Sequence, residues 1–124
     1  MVGYVTVGTN DFARAVAFYD ALFAAVGVDR LWAHGQMAAW ARTRQDTAFC
    51  VTAPHDGAAA TVGNGGMVAI RLTDRAAVQA MHAKALELGG TDEGPPGPRG
   101  SHGFYGAYFR DLDGNKLNAH VPAG

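Results

Sequence analysis

The chain has 124 residues, enough for one domain with its own core, and its 48% apolar and 17% charged residues are those of a globular protein rather than a disordered one. A formal net charge of −1 gives no electrostatic reason to expect nucleic acid or an acidic membrane surface. The single Cys50 excludes an internal disulfide, no apolar run approaches the roughly 20 residues of a membrane span, and the N-terminus lacks a basic region followed by an apolar one. A soluble cytoplasmic protein without a signal peptide is therefore expected.

Tyr4 to Val7 reads as a strand rich in β-branched residues. Asn10 or Asp11 can cap the helix that follows, because a side-chain oxygen there accepts from free N–H groups of the first turn. Phe12, Val16, Tyr19, Leu22, Phe23 and Val26 form an apolar stripe at helical spacing, and Gly27 stops it. Leu31 to Thr43 predicts a hairpin turning near His34-Gly35-Gln36, with Trp32 and Trp40 on its arms. Thr47 to Thr52 is a further strand ended by Pro54, and 55–66 reads as a linker.

The pattern then starts again. Met67 to Leu72 is a strand, and Thr73 or Asp74 caps a helix carrying Val78, Met81, Ala85 and Leu88, stopped by Gly89-Gly90. Shifted by 63 positions, Val5 falls on Val68, Val7 on Ile70, Asp11 on Asp74, Phe18 on Met81 and Gly27 on Gly90. Phe49 to Pro54 matches Leu117 to Pro122 at a shift of 68, so the second half carries about five extra residues. They fall in Glu93 to Gly103, a segment too rich in Pro and Gly to be regular. A fixed-period repeat of this kind governs the fold. Two copies of strand–helix–strand–strand–strand are expected, module one over about 1–54 and module two over about 67–124, in a single domain.

The chain closes on a predicted hairpin, Gly106 to Val121, turning at Asp113-Gly114. If Asp111 faces Asn115, Tyr108 lies opposite Asn118 and Phe109 opposite Leu117. Alternation then puts Tyr108, Arg110, Lys116, Asn118 and His120 on one face, and Ala107, Phe109, Leu117, Ala119 and Val121 on the other. The apolar face suits packing on helices; the polar, aromatic face suits the wall of a pocket. Alternation likewise sets Tyr4 out of phase with Val5 and Val7, and Met67 out of phase with Val68 and Ile70.

Val5-Thr6-Val7 with Asp11, Arg14 and Phe18-Tyr19, the stretch Val78 to Gly90, and the hairpin Asp111 to Leu117 resemble the vicinal oxygen chelate superfamily of glyoxalases, bleomycin-resistance proteins and extradiol dioxygenases. The run Ala85 to Asp92, the Pro/Gly loop, His102 and Tyr105-Gly-Ala-Tyr108 are similar to short bacterial glyoxalase-like proteins. The resemblance implies an α+β fold: two βαβββ modules forming a curved, mostly antiparallel sheet around a cavity, with helices outside. In metal-dependent members, four cavity positions, usually His, Glu or Gln, hold a divalent ion that chelates the substrate. Carried over, those positions are Tyr4, Cys50, Met67 and Asn118, a phenol, a thiol, a thioether and an amide, which make a poor site for such an ion. No metal or other cofactor is expected.

Three functions follow as expectations. One is metal-free binding of a small organic molecule, or diverged catalysis, in the sheet cavity; here His102 and Tyr4 are the candidate catalytic residues, and Tyr4, Met67, Tyr108, Asn118, Arg71 and His120 the candidate ligand-binding ones. Another is a divalent-metal-dependent glyoxalase-like lyase or isomerase; a metal site built on His102 and His120 would still need a third ligand. The last is an interaction protein acting as a homodimer. Each residue also has a purely structural reading. His102 can be an exposed loop residue, His120 a rim residue, Tyr108 a sheet aromatic, and Arg71 and Arg110 surface charges at strand ends. Trp32 and Trp40 can roof a pocket or pack in a core or dimer contact. His82 reads as a surface residue, Tyr19 as helix–sheet packing and Cys50 as a buried inert thiol.

Overall fold

A computed structural model describes residues 1–123. Ten elements follow in the order β1 (Tyr4–Gly8), α1 (Phe12–Ala24), β2 (Arg30–His34), β3 (Met37–Trp40), β4 (Ala48–Thr52), β5 (Val68–Arg71), α2 (Arg75–Glu87), β6 (Thr91–Pro98), β7 (Tyr105–Arg110) and β8 (Lys116–Val121). This is βαβββ twice over. The repeat holds to the residue at the helices, since α1 displaced by 63 positions coincides with α2 and each is 13 residues long. Both begin on an aspartate: Asp11 accepts from the Arg14 N–H and Asp74 from the Ala77 N–H, which relieves free donors of each first turn.

The strands form two four-stranded sheets, ordered β1-β4-β3-β2 and β5-β8-β7-β6. In each, the first strand runs parallel to the last, and the remaining pairs are antiparallel. The closing hairpin has the expected register, Tyr108 opposite Asn118 and Phe109 opposite Leu117. Asp111 organises its turn. One carboxylate oxygen accepts from the Asp113 and Asn115 N–H groups, each at 2.9 Å, while Gly114 takes the positive φ (88°).

One face of each sheet packs on the helices. Ala107, Phe109, Leu117 and Ala119 are wholly buried with Val78, Met81 and Ala85 of α2, and Ala38, Trp40, Phe49 and Val51 are buried with Phe18, Tyr19, Leu22 and Phe23 of α1. Tyr19 lies at the centre of an aromatic cluster, its ring 4.7 Å from Phe49 and 5.6 Å from Trp40. Trp40 is thus a core residue, its indole N–H donating to Asp20, whereas Trp32 stays partly exposed.

Two expectations are corrected. Residues 93–98, read as irregular, belong to β6, which pairs with β7. β6 is the last strand of its sheet, so Pro95, Pro96 and Pro98 need no N–H on the outer side, and the register breaks around Gly94 and Gly97 absorb the rest. His82, read as a surface residue, is buried and hydrogen-bonded to Asp92 at 2.9 Å, because α2 lies directly over β6.

Candidate functional site

The helix-free faces of the two sheets carry the candidate residues. On the first sheet, Tyr4, Trp32, Met37 and Cys50 line a cleft of about 340 Å³. Tyr4 is 63% exposed, and Cys50 is buried, its thiol pKa pushed up by that burial. A buried thiol held protonated is a weak ligand and a weak nucleophile. Met67 lines a separate cleft of about 290 Å³ at the junction of β1 and β5, with Thr6, Gly8, Val62 and Lys116.

The second sheet presents the densest polar group. Asn118 is buried on β8 with both ends of its amide engaged: Nδ2 donates to the Ala107 carbonyl at 3.3 Å, and Oδ1 lies 2.7 Å from His120 Nδ1. His120 faces Arg71 across the β5–β8 pair and Gly106 across the β7–β8 pair. The Phe104 ring stacks on the imidazole, 5.3 Å between centres and 11° from parallel. Burial first, and Arg71 second, hold the His120 pKa below the ordinary imidazole value.

Beside this group lies Tyr108, half-buried, with the Arg99 guanidinium 5.5 Å and the Lys116 ammonium 5.6 Å from its ring centre. Arg99 also donates to the Gly97 and Pro95 carbonyls, which folds it back over β6. Arg110 is engaged by Glu93 and the Gly114 carbonyl. Arg71 and Lys116 have no ion-pair partner among the described residues.

The structure therefore brings Arg71, Tyr108, Asn118 and His120 together on one sheet face, and it sets Tyr4 and Met67 in two other clefts. His102 is exposed on the loop between β6 and β7. Phe104 and Arg99, from that loop and its start, cover the second sheet's outer face. Sequence reasoning missed both. Phe104 was legible only as an aromatic neighbour of His102, and Arg99 only as one charge in a Pro/Gly loop.

The family's metal can be tested against these residues. Tyr4 is a phenol, Met67 a thioether, Cys50 a buried protonated thiol, and the amide of Asn118 is already engaged at both ends. No cluster of three or more His, Cys, Asp or Glu side chains is placed to hold an ion among the described residues. The residues present do not fit a hard divalent cation.

A mostly apolar cleft of about 400 Å³ lies between β1 and β5, lined by Val5, Phe23, Trp40, Phe49, Ile70 and Arg71 among others, so that Arg71 borders this cleft as well as the His120 face. No helix among the described residues is long and apolar enough to cross a membrane.

Comparison with solved structures gives a glyoxalase/bleomycin resistance protein from Albidiferax ferrireducens, 36% identical over 98% of both chains with a TM-score of 0.89. A glyoxalase-related enzyme from Fulvimarina pelagi is similar in fold, at 17% identity over 98% of this chain and 88% of that one, TM-score 0.75. So is a glyoxalase/bleomycin resistance protein/dioxygenase family enzyme from Burkholderia phytofirmans, at 19% identity over 96% of both chains, TM-score 0.74. No curated protein matches. The family model for the Glyoxalase/Bleomycin resistance protein/Dioxygenase superfamily matches residues 1–119, and with the paired βαβββ halves and the closing Asp-Gly-Asn hairpin this chain belongs to that superfamily.

Proposed function

We propose that this protein binds a small organic molecule without a metal ion, on the outer face of the second sheet. The observation that carries the reading is one surface combining two cations without an ion-pair partner among the described residues, Arg71 and Lys116, with the aromatic groups Phe104 and Tyr108. Guanidinium and ammonium groups bind carboxylates and other oxyanions, and aromatic side chains add apolar area at small entropic cost. The misfit between the donor set and a divalent ion supports a ligand held by side chains alone. Whether the ligand is transformed or only held, Arg71, Tyr108 and His120 are the residues assigned to touch it. His102 and Tyr4, the earlier catalytic candidates, have less support, since one is loop-exposed and the other lines a different cleft.

A second copy of the chain is the proposed partner. Tyr4, Trp32 and Met67 are the observation that favours it, being large apolar groups left open on the helix-free faces, 63%, 39% and 46% exposed. A partner covering those faces would enclose the ligand surface.

Elemental analysis of tag-free protein after incubation with nickel, zinc, manganese and iron(II), followed by thermal-shift screening against aromatic carboxylates, tests the proposal. No ion is expected to be retained, and stabilisation is expected from an aromatic carboxylate. One ion held tightly per chain would overturn the metal-free reading and put the metal-dependent lyase in its place.

A further inference from the structure

The Asn118–His120 contact fixes more than a side-chain position. An amide nitrogen, not its oxygen, must face a carbonyl, so the bond from Asn118 to the Ala107 oxygen sets which way the amide lies. Oδ1 then faces His120 Nδ1 at 2.7 Å, and because an amide oxygen only accepts, Nδ1 is the donor. A neutral imidazole carries a single proton, so Nε2 keeps its lone pair. Nε2 has no partner among the described residues, and among them no buried side-chain nitrogen or oxygen lacks one, so Nε2 opens to solvent. Phe104 stacked on the ring limits its rotation. Gly106 makes the stack possible: a Cβ there would come to 3.0 Å from both the Phe104 ring and Asn118 Nδ2.

Among the described residues, the groups facing His120 are Arg71 from β5, Gly106 from β7, Asn118 from β8 and Phe104 from the preceding loop, and none of them is a carboxylate. An imidazole with an ordinary pKa is already mostly neutral at pH 7, and burial and Arg71 shift it further the same way.

Resting on the proposed small-molecule site, we infer that His120, held by Asn118 as the Nδ1–H imidazole, accepts a hydrogen bond at Nε2 from the hydroxyl of a small aromatic hydroxy acid whose carboxylate pairs with Arg71. Asn118 is a positioning residue; His120 and Arg71 are the groups that touch the ligand. A cation beside a lone pair selects an anion that also carries a donor. It disfavours a dicarboxylate, whose second charge would face Nε2.

Long-range ¹H–¹⁵N spectra of ¹⁵N-histidine-labelled protein at pH 7.5 read the tautomer directly. The expected result is Nδ1–H for His120 in the wild type and loss of that preference in Asn118→Ala. An Nε2–H tautomer in the wild type would overturn the inference whatever binds.

Titration with mandelate, its O-methyl ether and phenylacetate reads the ligand class. Mandelate should bind about tenfold more tightly than the other two. His120→Phe should remove that difference while the weaker binding persists, and Arg71→Gln should weaken all three alike. Equal affinities in the wild type would overturn hydroxyl recognition. Failure of all three while benzyl alcohol binds would overturn the carboxylate class and leave the small-molecule reading standing. Failure of all four would sink both.

Discussion

Tyr19 of α1 donates its phenolic hydrogen to Asp111 at the closing turn, across 92 positions of sequence, in a fully buried contact. The same carboxylate oxygen also accepts from Asn115 Nδ2 at 2.9 Å, and that amide donates to the Gly8 carbonyl at 2.8 Å. Asp113 accepts from the Asn10 N–H at 3.0 Å. The Asp-Leu-Asp-Gly-Asn turn of the second half is thereby bolted to the β1–α1 junction of the first.

Tyr19→Phe keeps the ring but takes a donor from a buried carboxylate. A loss of about 1.5–3 kcal/mol is expected, the range for hydrogen bonds to charged groups, read from the urea midpoint. Burial and the Asp111 charge hold the Tyr19 pKa well above its ordinary value. Ionisation is thus disfavoured in the folded state, and its stability is present below pH 10 and lost as pH rises beyond it. Wild-type protein should lose stability in that window, and Tyr19→Phe should lose less.

Asp92 predicts an acid-side effect. The Gly94 N–H first, and His82 second, hold its carboxyl below the ordinary carboxylate pKa. The contribution is complete above about pH 4 and disappears as pH falls through the lowered value. Asp92→Asn should lower stability at pH 7, where the contribution is complete, and flatten the acid limb of the stability profile measured by circular dichroism. An unaltered acid limb would show that the α2–β6 contact does not depend on this charge.

Gly106→Ala should disturb the His120 site more than the fold. The added methyl would crowd Phe104 and Asn118, and overpacking of this kind costs about 1–3 kcal/mol. The Phe104 ring can move, so its stack on His120 should loosen first, seen as a change in the imidazole ¹⁵N shifts.

Trp32→Glu tests the second copy. Sedimentation should show a dimer for the wild type and a shift towards monomer for the variant, with the melting temperature of the monomer little changed because Trp32 lies outside the buried core. A wild-type monomer at high concentration would dispose of the partner.

Much of the fold was legible because punctuation repeats: aspartate caps, glycine stops and alternating strands sit at constant spacing, and each answers a local physical demand. β6 was not, because its prolines argue against a strand, and only its place at the sheet edge makes them harmless. Tyr19 was read from spacing as packing, which its ring does; its hydroxyl partner lies in the other half, where no periodicity points. At the site, alternation set Tyr108, Asn118 and His120 on one face as the register has them. It could not show that Asn118 would be spent on His120, or that a loop phenylalanine would cap the imidazole. Those depend on how the 99–104 segment folds back, closed by the Arg99 N–H on the Phe104 carbonyl at 2.8 Å.

The parallel pairing of β1 with β4, and of β5 with β8, sets a timetable for folding. Each half closes by joining its first strand to its last, so the chain must pass through two loops of moderate length instead of one spanning the molecule. On a ribosome, the first half can finish its sheet once Thr52 is out, yet the phenol at its centre has no partner until Asp111 emerges. Until then the Tyr19 hydroxyl is left to water, and the arrival of the late half exchanges that water for the Asp111 carboxylate.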